Sequence, residues 1–208
     1  MVPTLARKNR DKHEQILGAA AAVFAHKGYY GARVADIAAR AKVADGTIYL
    51  YFRSKEEILV ALFERAMRRF LERARGELAP LKGAEARLRH IAHLHLDALG
   101  AHRDLAIVFQ VELRQSVKFM ERVSTTILAE YFDLIRGVIR QGQVEGVLRH
   151  DLPEKVVTKC LFGILDEMAT NWVLSRRQYR LADMAPIVAD LFLQGLKASS
   201  QSAGVSGQ

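Results

Sequence analysis

Cysteine and proline are scarce in this chain of 208 residues, and long hydrophobic runs are absent. Cys160 is the only cysteine, so no intrachain disulfide can form, and a reducing compartment such as the cytoplasm is expected. The four prolines are scattered and leave long stretches rich in Ala, Leu, Arg and Glu free of helix breakers. No apolar run approaches the roughly 18 residues that a membrane-spanning helix needs. We therefore expect an all-α protein without a membrane span.

Positive charge is concentrated at the amino-terminal end of the chain, whose formal net charge is +8. Residues 1–55 hold ten Lys or Arg against four Asp or Glu, a net of +6, which leaves +2 for the remaining residues. Phosphates attract local cation density, so a basic segment on a nearly neutral body indicates a nucleic-acid-binding module. Charge alone leaves one alternative open, a generally basic protein with a solvated charged tail.

Apolar residues recur at helical spacing along almost the whole chain, and the breaks between them predict nine helices. The predicted helices are 10–27, 34–41, 44–51, 55–78, 85–101, 105–116, 121–141, 154–175 and 182–197. Gly28 is expected to end the first helix. Ser54 and Glu57 predict a capping box at the start of the fourth, in which Glu57 reaches back to the amide of Ser54.

The predicted helices fall into four regions. Residues 1–9 are expected to form a flexible basic arm, and residues 199–208, rich in Ser, Gly and Gln, a disordered tail. Between them lie a head of residues 10–54 and a larger helical body of residues 55–198. The body begins with a connecting helix, 55–78.

The segment VADIAARAKVADGTIYLYFRSKEEIL, residues 34–59, has the pattern of a helix-turn-helix. Two short amphipathic stretches are separated by a turn of about three or four residues. Such a pair crosses at a steep angle over a shared core and presents the second helix outward as a rigid rod. The apolar residues that predict this core are Val34, Ile37, Ala38, Val43, Ile48 and Phe52.

The exposed start of the second helix consists of small residues, namely Ala44, Asp45, Gly46 and Thr47. Small side chains allow that end of the helix to approach the floor of the DNA major groove. The hydroxyls of Thr47, Tyr49 and Tyr51 and the ammonium of Lys55 suit contacts with phosphates. We expect Tyr49 to contact DNA rather than to pack internally, and Phe52 to pack in the core.

These residues resemble the N-terminal domain of the TetR family of repressors. The resemblance covers about residues 12–60 and is carried by Gly28-Tyr29, by Val34-x-x-Ile37-Ala38 and by the run from Val43 to Glu57. It implies a nine-helix all-α fold, in which a three-helix DNA-binding domain precedes a larger helical domain for ligand binding and dimerisation.

The resemblance also assigns roles to single residues. Thr47, Tyr49 and Lys55 are expected to contact phosphates. The residues expected to face base edges are Ala44, Asp45, Gly46 and Leu50. Arg33 stands where Ser or Thr usually caps the second helix, so the cap is weaker but a phosphate contact is gained. Lys42 takes a turn position usually given to Gly, where a left-handed conformation costs roughly 1 kcal/mol.

Two segments of the body extend the resemblance to about residues 12–197. The segment LAIVxQxELRQS, residues 105–116, and the pattern FGxxDExxxxWV, residues 162–173, are similar to the TetR-type regulators of fatty acid degradation in bacilli and Thermus. By that similarity the effector is a long-chain acyl-CoA, which binds the body and releases DNA, and no cofactor is needed. The last two helices would pair with their twofold mates in a homodimer. Two recognition helices in successive major grooves, ~34 Å apart, predict a pseudo-palindromic operator in double-stranded DNA.

Candidate effector contacts follow from the chemistry of an acyl-CoA. The acyl chain needs a deep apolar slot, for which the candidates are Leu96, Leu99, Phe109, Leu113, Leu128, Phe132, Met168 and Trp172. The coenzyme head needs cations near its mouth, and the arginines at or near helix ends are Arg103, Arg114, Arg122, Arg176 and Arg177. Ordinary core packing and ordinary solvation are the alternatives. The apolar residues expected at the dimer interface are Val157, Leu161, Ile164, Leu165, Ile187, Leu191 and Leu196.

Other functions have less support in the sequence. His90, His93 and His95 lie on one helix, but only the first two share a face and no carboxylate or cysteine completes a metal site. We expect no enzyme, because neither a Gly-rich phosphate loop nor a nucleophile elbow is present. A protein–protein adaptor would not explain the basic head. The alternative within the repressors is a regulator of efflux or other genes that senses a different lipophilic molecule without coenzyme A.

Overall fold

The computed structural model describes residues 5–115, 121, 127–177 and 179–197. Within these ranges the chain forms nine α-helices and no strand, which confirms the expected all-α fold. The helices are α1 (Leu5–Gly31), α2 (Val34–Arg40), α3 (Asp45–Tyr49), α4 (Lys55–Leu78), α5 (Ala84–Gly100), α6 (Arg103–Ile107), α7 (Ile127–Val144), α8 (Glu154–Leu174) and α9 (Ala185–Leu196). None of these described helices is long and apolar enough to cross a membrane. The predicted tail, 199–208, and the first four residues of the predicted arm lie outside the described residues.

The chain forms two compact units. The first contains the described residues of Met1–Arg69 and His102–Ile127, and the second those of Phe70–Ala101 and Leu128–Gln208. This grouping differs from the sequence-based division after residue 54. The reason is that α6 and the turn after it pack against α1, while α4 contributes residues to both units.

The core of the first unit is built around α1. Ile16, Leu17 and Phe24 of α1 recur at helical spacing and are fully buried together with Ile37 of α2 and Ile48 of α3. Burial of one such side chain stabilises a fold by about 1.5–3 kcal/mol. The apolar face predicted for the helix-turn-helix therefore forms a shared core, as expected.

The ends of α1 and α2 show where local sequence signals succeed. α1 starts at Leu5, before the predicted start at residue 10. Gly28 has a φ of 70° and interrupts α1 as predicted. Lys42 follows α2 with a φ of 52°, which confirms the left-handed turn residue and its cost of roughly 1 kcal/mol.

Acidic side chains close the starts of α2 and α4. The Arg33 amide donates to the Asp36 carboxylate (3.0 Å), so Asp36 supplies part of the cap that Arg33 cannot provide. Hydrogen bonds from Lys27 and from the Arg33 amide hold the pKa of Asp36 below its usual value. At α4 the Glu57 amide donates to Ser54 Oγ (3.1 Å), as expected. The prediction for the other half of the box was wrong, because the Glu57 carboxylate accepts from the Arg53 amide (2.6 Å).

The helix predicted over 105–116 is not continuous. α6 ends at Ile107 and is followed by a π-helical turn, Val108–Glu112, and a 3-10 turn, Leu113–Gln115. The extra residue in a π-helical turn rotates the side chains that follow it, and here Val108, Gln110 and Glu112 are buried. Such turns often occur at functional sites.

The second unit is organised by α5, which packs against α8, α9 and a 3-10 turn, Leu181–Met184. Its apolar side is fully buried, and so are the inward-facing residues of α7 and α8, for example Tyr131 and Leu165. Gly142, near the end of α7, has no space beside it for a side chain. A Cβ at this position would lie 2.5 Å from Leu148 Cδ1 and 2.8 Å from Ala84 Cβ.

Gly142→Ala should therefore lower the free energy of unfolding by about 1–3 kcal/mol, because the added methyl group overpacks a closed site. Gly137→Ala on the same helix is the matched control, since its Cβ would meet nothing within 4 Å. Alanine favours a helix over glycine, so the control should gain about 0.5–1 kcal/mol. Urea unfolding followed by circular dichroism measures both changes. A similar gain in both variants would show that the packing around Gly142 is loose.

Candidate functional site

The predicted DNA-binding residues surround α3. Tyr49 and Leu50 are 59% and 81% exposed, which is unusual for such large side chains. Ile48 and Phe52 are buried and fix the position of α3, so the expectation that Phe52 packs in the core is confirmed. Arg33, Ala44, Asp45 and Gly46 are also exposed, whereas Thr47, Tyr51 and Lys55 are half-buried. The exposed residues fit a contact surface, and their roles toward DNA stay predictions.

The first turns of α1 pack against the end of the recognition segment. The Tyr51 hydroxyl donates to Asn9 Oδ1 (3.2 Å), and the His13 ring lies 4.9 Å from the Phe52 ring. The hydroxyl of Tyr51 is thus already engaged within the protein. These contacts hold the carboxyl end of α3 and leave Tyr49 as the tyrosine with the more exposed ring.

Lys55 holds the end of α1. Its ammonium donates to the carbonyls of Tyr29 (2.7 Å) and Ala32 (2.9 Å), and it lies 4.6 Å from the centre of the Tyr29 ring. The last carbonyls of a helix need donors from outside the helix. Lys55, predicted to contact a phosphate, therefore also stabilises the chain end between α1 and α2.

Glu112 binds the same chain segment from the other side. Its carboxylate accepts a hydrogen bond from the Tyr29 amide (2.6 Å), and a Cβ at Gly28 would lie 3.4 Å from the same oxygen. Sequence reasoning assigned no role to Glu112. The available signal was a charged residue within the apolar run LAIVFQVEL, which buries the side chain to 8% exposure.

Lys55→Met should lower the free energy of unfolding by about 1–3 kcal/mol, because the carbonyls at the end of α1 lose their charged donor. Arg53→Met, at an exposed neighbouring position, should change stability little. Chemical unfolding of both variants tests this. Unchanged stability together with weaker DNA binding and a smaller salt dependence would instead make Lys55 a phosphate contact alone.

The candidate effector residues are divided between the two units. The first unit holds Arg103, Phe109, Leu113 and Arg114, and the second holds Leu96, Leu99, Leu128, Phe132, Met168, Trp172, Arg176 and Arg177. Arg122 lies outside the described residues. Leu96, Leu113, Leu128 and Trp172 are buried, while Leu99, Phe109, Phe132 and Met168 are half-buried. Arg103, Arg114, Arg176 and Arg177 are exposed, as a contact with a polar head requires.

Trp172 and Arg114, both candidate effector residues, donate hydrogen bonds within the protein. Trp172 Nε1 donates to the Tyr179 carbonyl (2.9 Å), and Arg114 donates to the Gln110 side chain (3.1 Å). The polar edge of Trp172 therefore serves the end of α8. Contacts of the effector with the remaining ring surface of Trp172 and with the other candidates stay predictions.

Aromatic residues of α4, α5, α7 and α8 meet around His95 in the second unit. The His95 Nδ1 lies 2.9 Å from the Tyr131 hydroxyl. The ring of Phe70 is 4.9 Å from that of Tyr131, and the ring of Phe162 is 5.0 Å from that of Phe132. Sequence reasoning anticipated Phe132 here and considered His95 only as a metal ligand.

The three histidines of α5 are not brought together as metal ligands. His90 Nε2 bonds the Glu77 carboxylate (2.7 Å), and His95 is buried beside Tyr131. His93 is exposed. In the part of the chain that the structure describes, no three His, Cys, Asp or Glu side chains are grouped to hold a metal ion.

Comparison with known protein families gives two matches that together span most of the chain. The family described as "Bacterial regulatory proteins, tetR family" matches residues 16–62. The family described as "YsiA-like protein, C-terminal region" matches residues 63–195. The chain belongs to the TetR family. It is therefore a transcriptional regulator and not an enzyme, as the sequence predicted.

The most similar relatives regulate fatty acid metabolism. This TetR-family chain is 35% identical over 190 residues to the fatty acid metabolism regulator protein of Bacillus subtilis (strain 168), covering 91% of this chain and 98% of that protein. The fatty acid degradation regulator FadR from Bacillus halodurans is 38% identical, with a TM-score of 0.85 over 88% of this chain and 95% of that one. FadR from Bacillus subtilis in complex with stearoyl-CoA is 35% identical, with a TM-score of 0.84 over 88% and 98%. The predicted resemblance is confirmed.

The last two helices of this TetR-family regulator expose an apolar face. Ile164 of α8 and Ile187 and Leu191 of α9 are exposed, in keeping with their predicted place at a dimer interface. Four other residues were predicted there wrongly, because their side chains are buried within the subunit: Val157, Leu161, Leu165 and Leu196. Val156 and Leu174 are also exposed on α8.

Proposed function

We propose that this regulator represses genes of fatty acid degradation, binds a pseudo-palindromic operator as a homodimer, and is released by a long-chain acyl-CoA. One observation carries the proposal. The chain is 35% identical, over almost its full length, to a Bacillus subtilis regulator of fatty acid metabolism, and FadR of that organism has been solved with stearoyl-CoA.

The head supports the DNA-binding part of the proposal. The net charge of +6 over residues 1–55, which include the head and the basic segment before it, attracts the phosphate backbone. The small residues Ala44 and Gly46 are exposed at the start of α3, where they permit close approach to base edges. The exposed Tyr49 hydroxyl is suited to a phosphate contact, which positions the helix without reading sequence.

The body supports an effector with both a long apolar part and an anionic head. The half-buried Leu99, Phe132 and Met168 offer apolar surface in the second unit. Exposed Arg176 and Arg177, at the end of α8, suit the phosphates of coenzyme A. Arg103 and Arg114, in the first unit, stay candidates on the sequence evidence alone.

We expect helix α4 to couple effector binding to release of DNA. Near its carboxyl-terminal half, Phe70 packs 4.9 Å from the Tyr131 ring, in the aromatic cluster of the second unit. Lys55, the first residue of α4, holds the end of α1, and Arg65 and Arg69 farther along α4 pair with Glu14 of α1. An effector that displaces Phe70 would act on the helix that positions the head. A switch from 1:99 to 99:1 needs about 5.5 kcal/mol of preference for the released form.

Release from DNA tests the proposal directly. Fluorescence anisotropy follows labelled DNA from upstream of the protein's own gene during titration with protein and then with palmitoyl-CoA, coenzyme A or palmitate. We expect binding, followed by release with palmitoyl-CoA only. Binding that persists with all three ligands would contradict the effector and favour a regulator of efflux or other genes that senses another lipophile.

The exposed face of α8 and α9 supports the homodimer part of the proposal. Leu191 is 73% exposed and lies one turn after Ile187 on α9. Exposed apolar surface on adjacent helices is typical of an interface. A twofold dimer would also hold two copies of α3 at the spacing that an operator requires.

Leu191→Glu should convert the dimer to a monomer, because two like charges would be buried beside each other at a twofold interface. Val144→Glu is the matched control, since Val144 is 85% exposed at the end of α7. Sedimentation equilibrium should show a monomer for the first variant and a dimer for the second. A stable dimer of Leu191→Glu would place the interface elsewhere.

A further inference from the structure

Among the described residues of the second unit, two buried polar side chains each have an atom without a hydrogen-bond partner. These atoms are Nε2 of His95 and Oγ1 of Thr158, and their residues are 8% and 3% exposed. Buried polar atoms are nearly always hydrogen bonded, because leaving one unpaired costs free energy. An exception therefore marks a place where a polar group from outside the chain can bind.

His95 belongs to the aromatic cluster described above, and Thr158 precedes Phe162 of that cluster by four residues on α8. Thr158, Phe162 and Asp166 are spaced by four residues on α8 and so share one side of that helix. The Phe162 ring lies 6.0 Å from the His95 ring. Thr158 is thus one helical turn from a residue that packs against His95.

The imidazole of His95 is uncharged at neutral pH. Burial lowers the pKa of His95 to about 4, although the negative charge of Asp166 acts in the opposite direction. Burial also raises the pKa of Tyr131, so its phenol keeps its proton. The neutral imidazole of His95 therefore carries one N–H, and the phenol of Tyr131 carries one O–H. Only one of these two hydrogens can lie in the hydrogen bond between Nδ1 and the Tyr131 oxygen.

The two tautomers of His95 leave different numbers of buried donors and acceptors without a hydrogen bond, and this difference indicates which nitrogen carries the proton. If Nδ1–H donated to the Tyr131 oxygen, both the Tyr131 proton and the Nε2 lone pair would need other partners. If Tyr131 donates to Nδ1 instead, only Nε2–H remains unpaired. The second arrangement leaves fewer buried groups unsatisfied, so Nε2 is the donor and its missing partner is an acceptor.

We propose that His95 Nε2–H, assisted by the Thr158 hydroxyl, binds the thioester carbonyl oxygen of the acyl-CoA effector. This inference rests on the proposed function and adds the residue that recognises the acyl–sulfur link. A carbonyl oxygen is an uncharged acceptor, whereas the carboxylate of a free fatty acid would be repelled by the nearby Asp166. The rings of Phe70, Phe132 and Phe162 provide apolar surface next to the carbonyl for the attached chain.

The carbonyl oxygen can be removed from the ligand while its length is kept. Palmitoyl-CoA contains the thioester, and S-hexadecyl-CoA has a CH₂ group in place of the carbonyl. Isothermal titration calorimetry of the full-length protein should give about tenfold tighter binding of palmitoyl-CoA, which is the size expected for one buried hydrogen bond between uncharged groups. Equal affinities for the two ligands would overturn the inference and leave the proposed effector standing.

His95→Phe keeps an aromatic ring at this position but removes the donor. It should weaken palmitoyl-CoA about tenfold, leave S-hexadecyl-CoA unchanged, and so abolish the difference between the ligands. His93→Phe is the matched control, because His93 is exposed on the same helix, and it should preserve the difference. A His95→Phe protein that still prefers the thioester tenfold would assign the carbonyl contact to another residue.

Histidine ¹⁵N NMR of the wild-type protein supplies a measurement that needs no substitution. Nε2 of His95 should show the protonated signal, and palmitoyl-CoA should shift it more than S-hexadecyl-CoA does. A signal for protonated Nδ1, or equal shifts with both ligands, would contradict the inference. Failure of the wild-type protein to bind either ligand would overturn the acyl-CoA effector itself, and this role of His95 with it.

Discussion

The hydrogen bonds at the end of α1 are the constraint on which the arrangement of the head depends. Gly28 breaks the helix with a positive φ and leaves backbone groups that the helix cannot satisfy. Lys55 supplies an ammonium to the carbonyls of Tyr29 and Ala32, and Glu112 supplies a carboxylate to the Tyr29 amide. Two side chains from distant parts of the sequence thus complete one chain reversal. The core beneath α2 and α3 can then form in a single orientation.

Helix α4 contributes one residue to the hydrogen bonds at the end of α1 and another to the aromatic cluster. Its first residue, Lys55, holds α1, and its later residue, Phe70, belongs to the aromatic cluster around His95 and Tyr131. The ion pair of the exposed Arg69 with Glu14 adds modest stability, because exposed ion pairs contribute about 0–1 kcal/mol each, and the half-buried Arg65 bonds the same carboxylate. A regulator needs an element that both DNA and effector can bias. α4 contributes residues to both compact units, and we propose it for this role.

Much of the fold could be predicted from the sequence because helices have a regular apolar spacing. Ile16, Leu17 and Phe24 identify the buried side of α1, and Ile37 and Ile48 identify the head core. Local signals such as Gly28 and Ser54 placed helix ends correctly. These features depend on residues close together in the chain, which is where periodicity carries information.

Contacts between distant residues could not be predicted in the same way. The bond between Tyr29 and Glu112 joins positions 83 residues apart, and the π-helical turn that buries Glu112 leaves no periodic signal. Apolar residues lie on several sides of α8, so the pattern could not separate the buried Val157 from the exposed Val156. The pairing of His95 with Tyr131 was missed, because the spacing of histidines along a helix does not report burial or a partner 36 residues away.

The most direct test of the central claim is the affinity of palmitoyl-CoA for free protein and for protein saturated with operator DNA, measured by titration calorimetry under the same salt conditions. If the effector releases DNA by preferring another conformation, the affinity for the DNA-bound form must be lower. The ratio must equal the factor by which palmitoyl-CoA weakens DNA binding, because coupling between two binding sites is reciprocal. Equal affinity for both forms would contradict an acyl-CoA-released repressor.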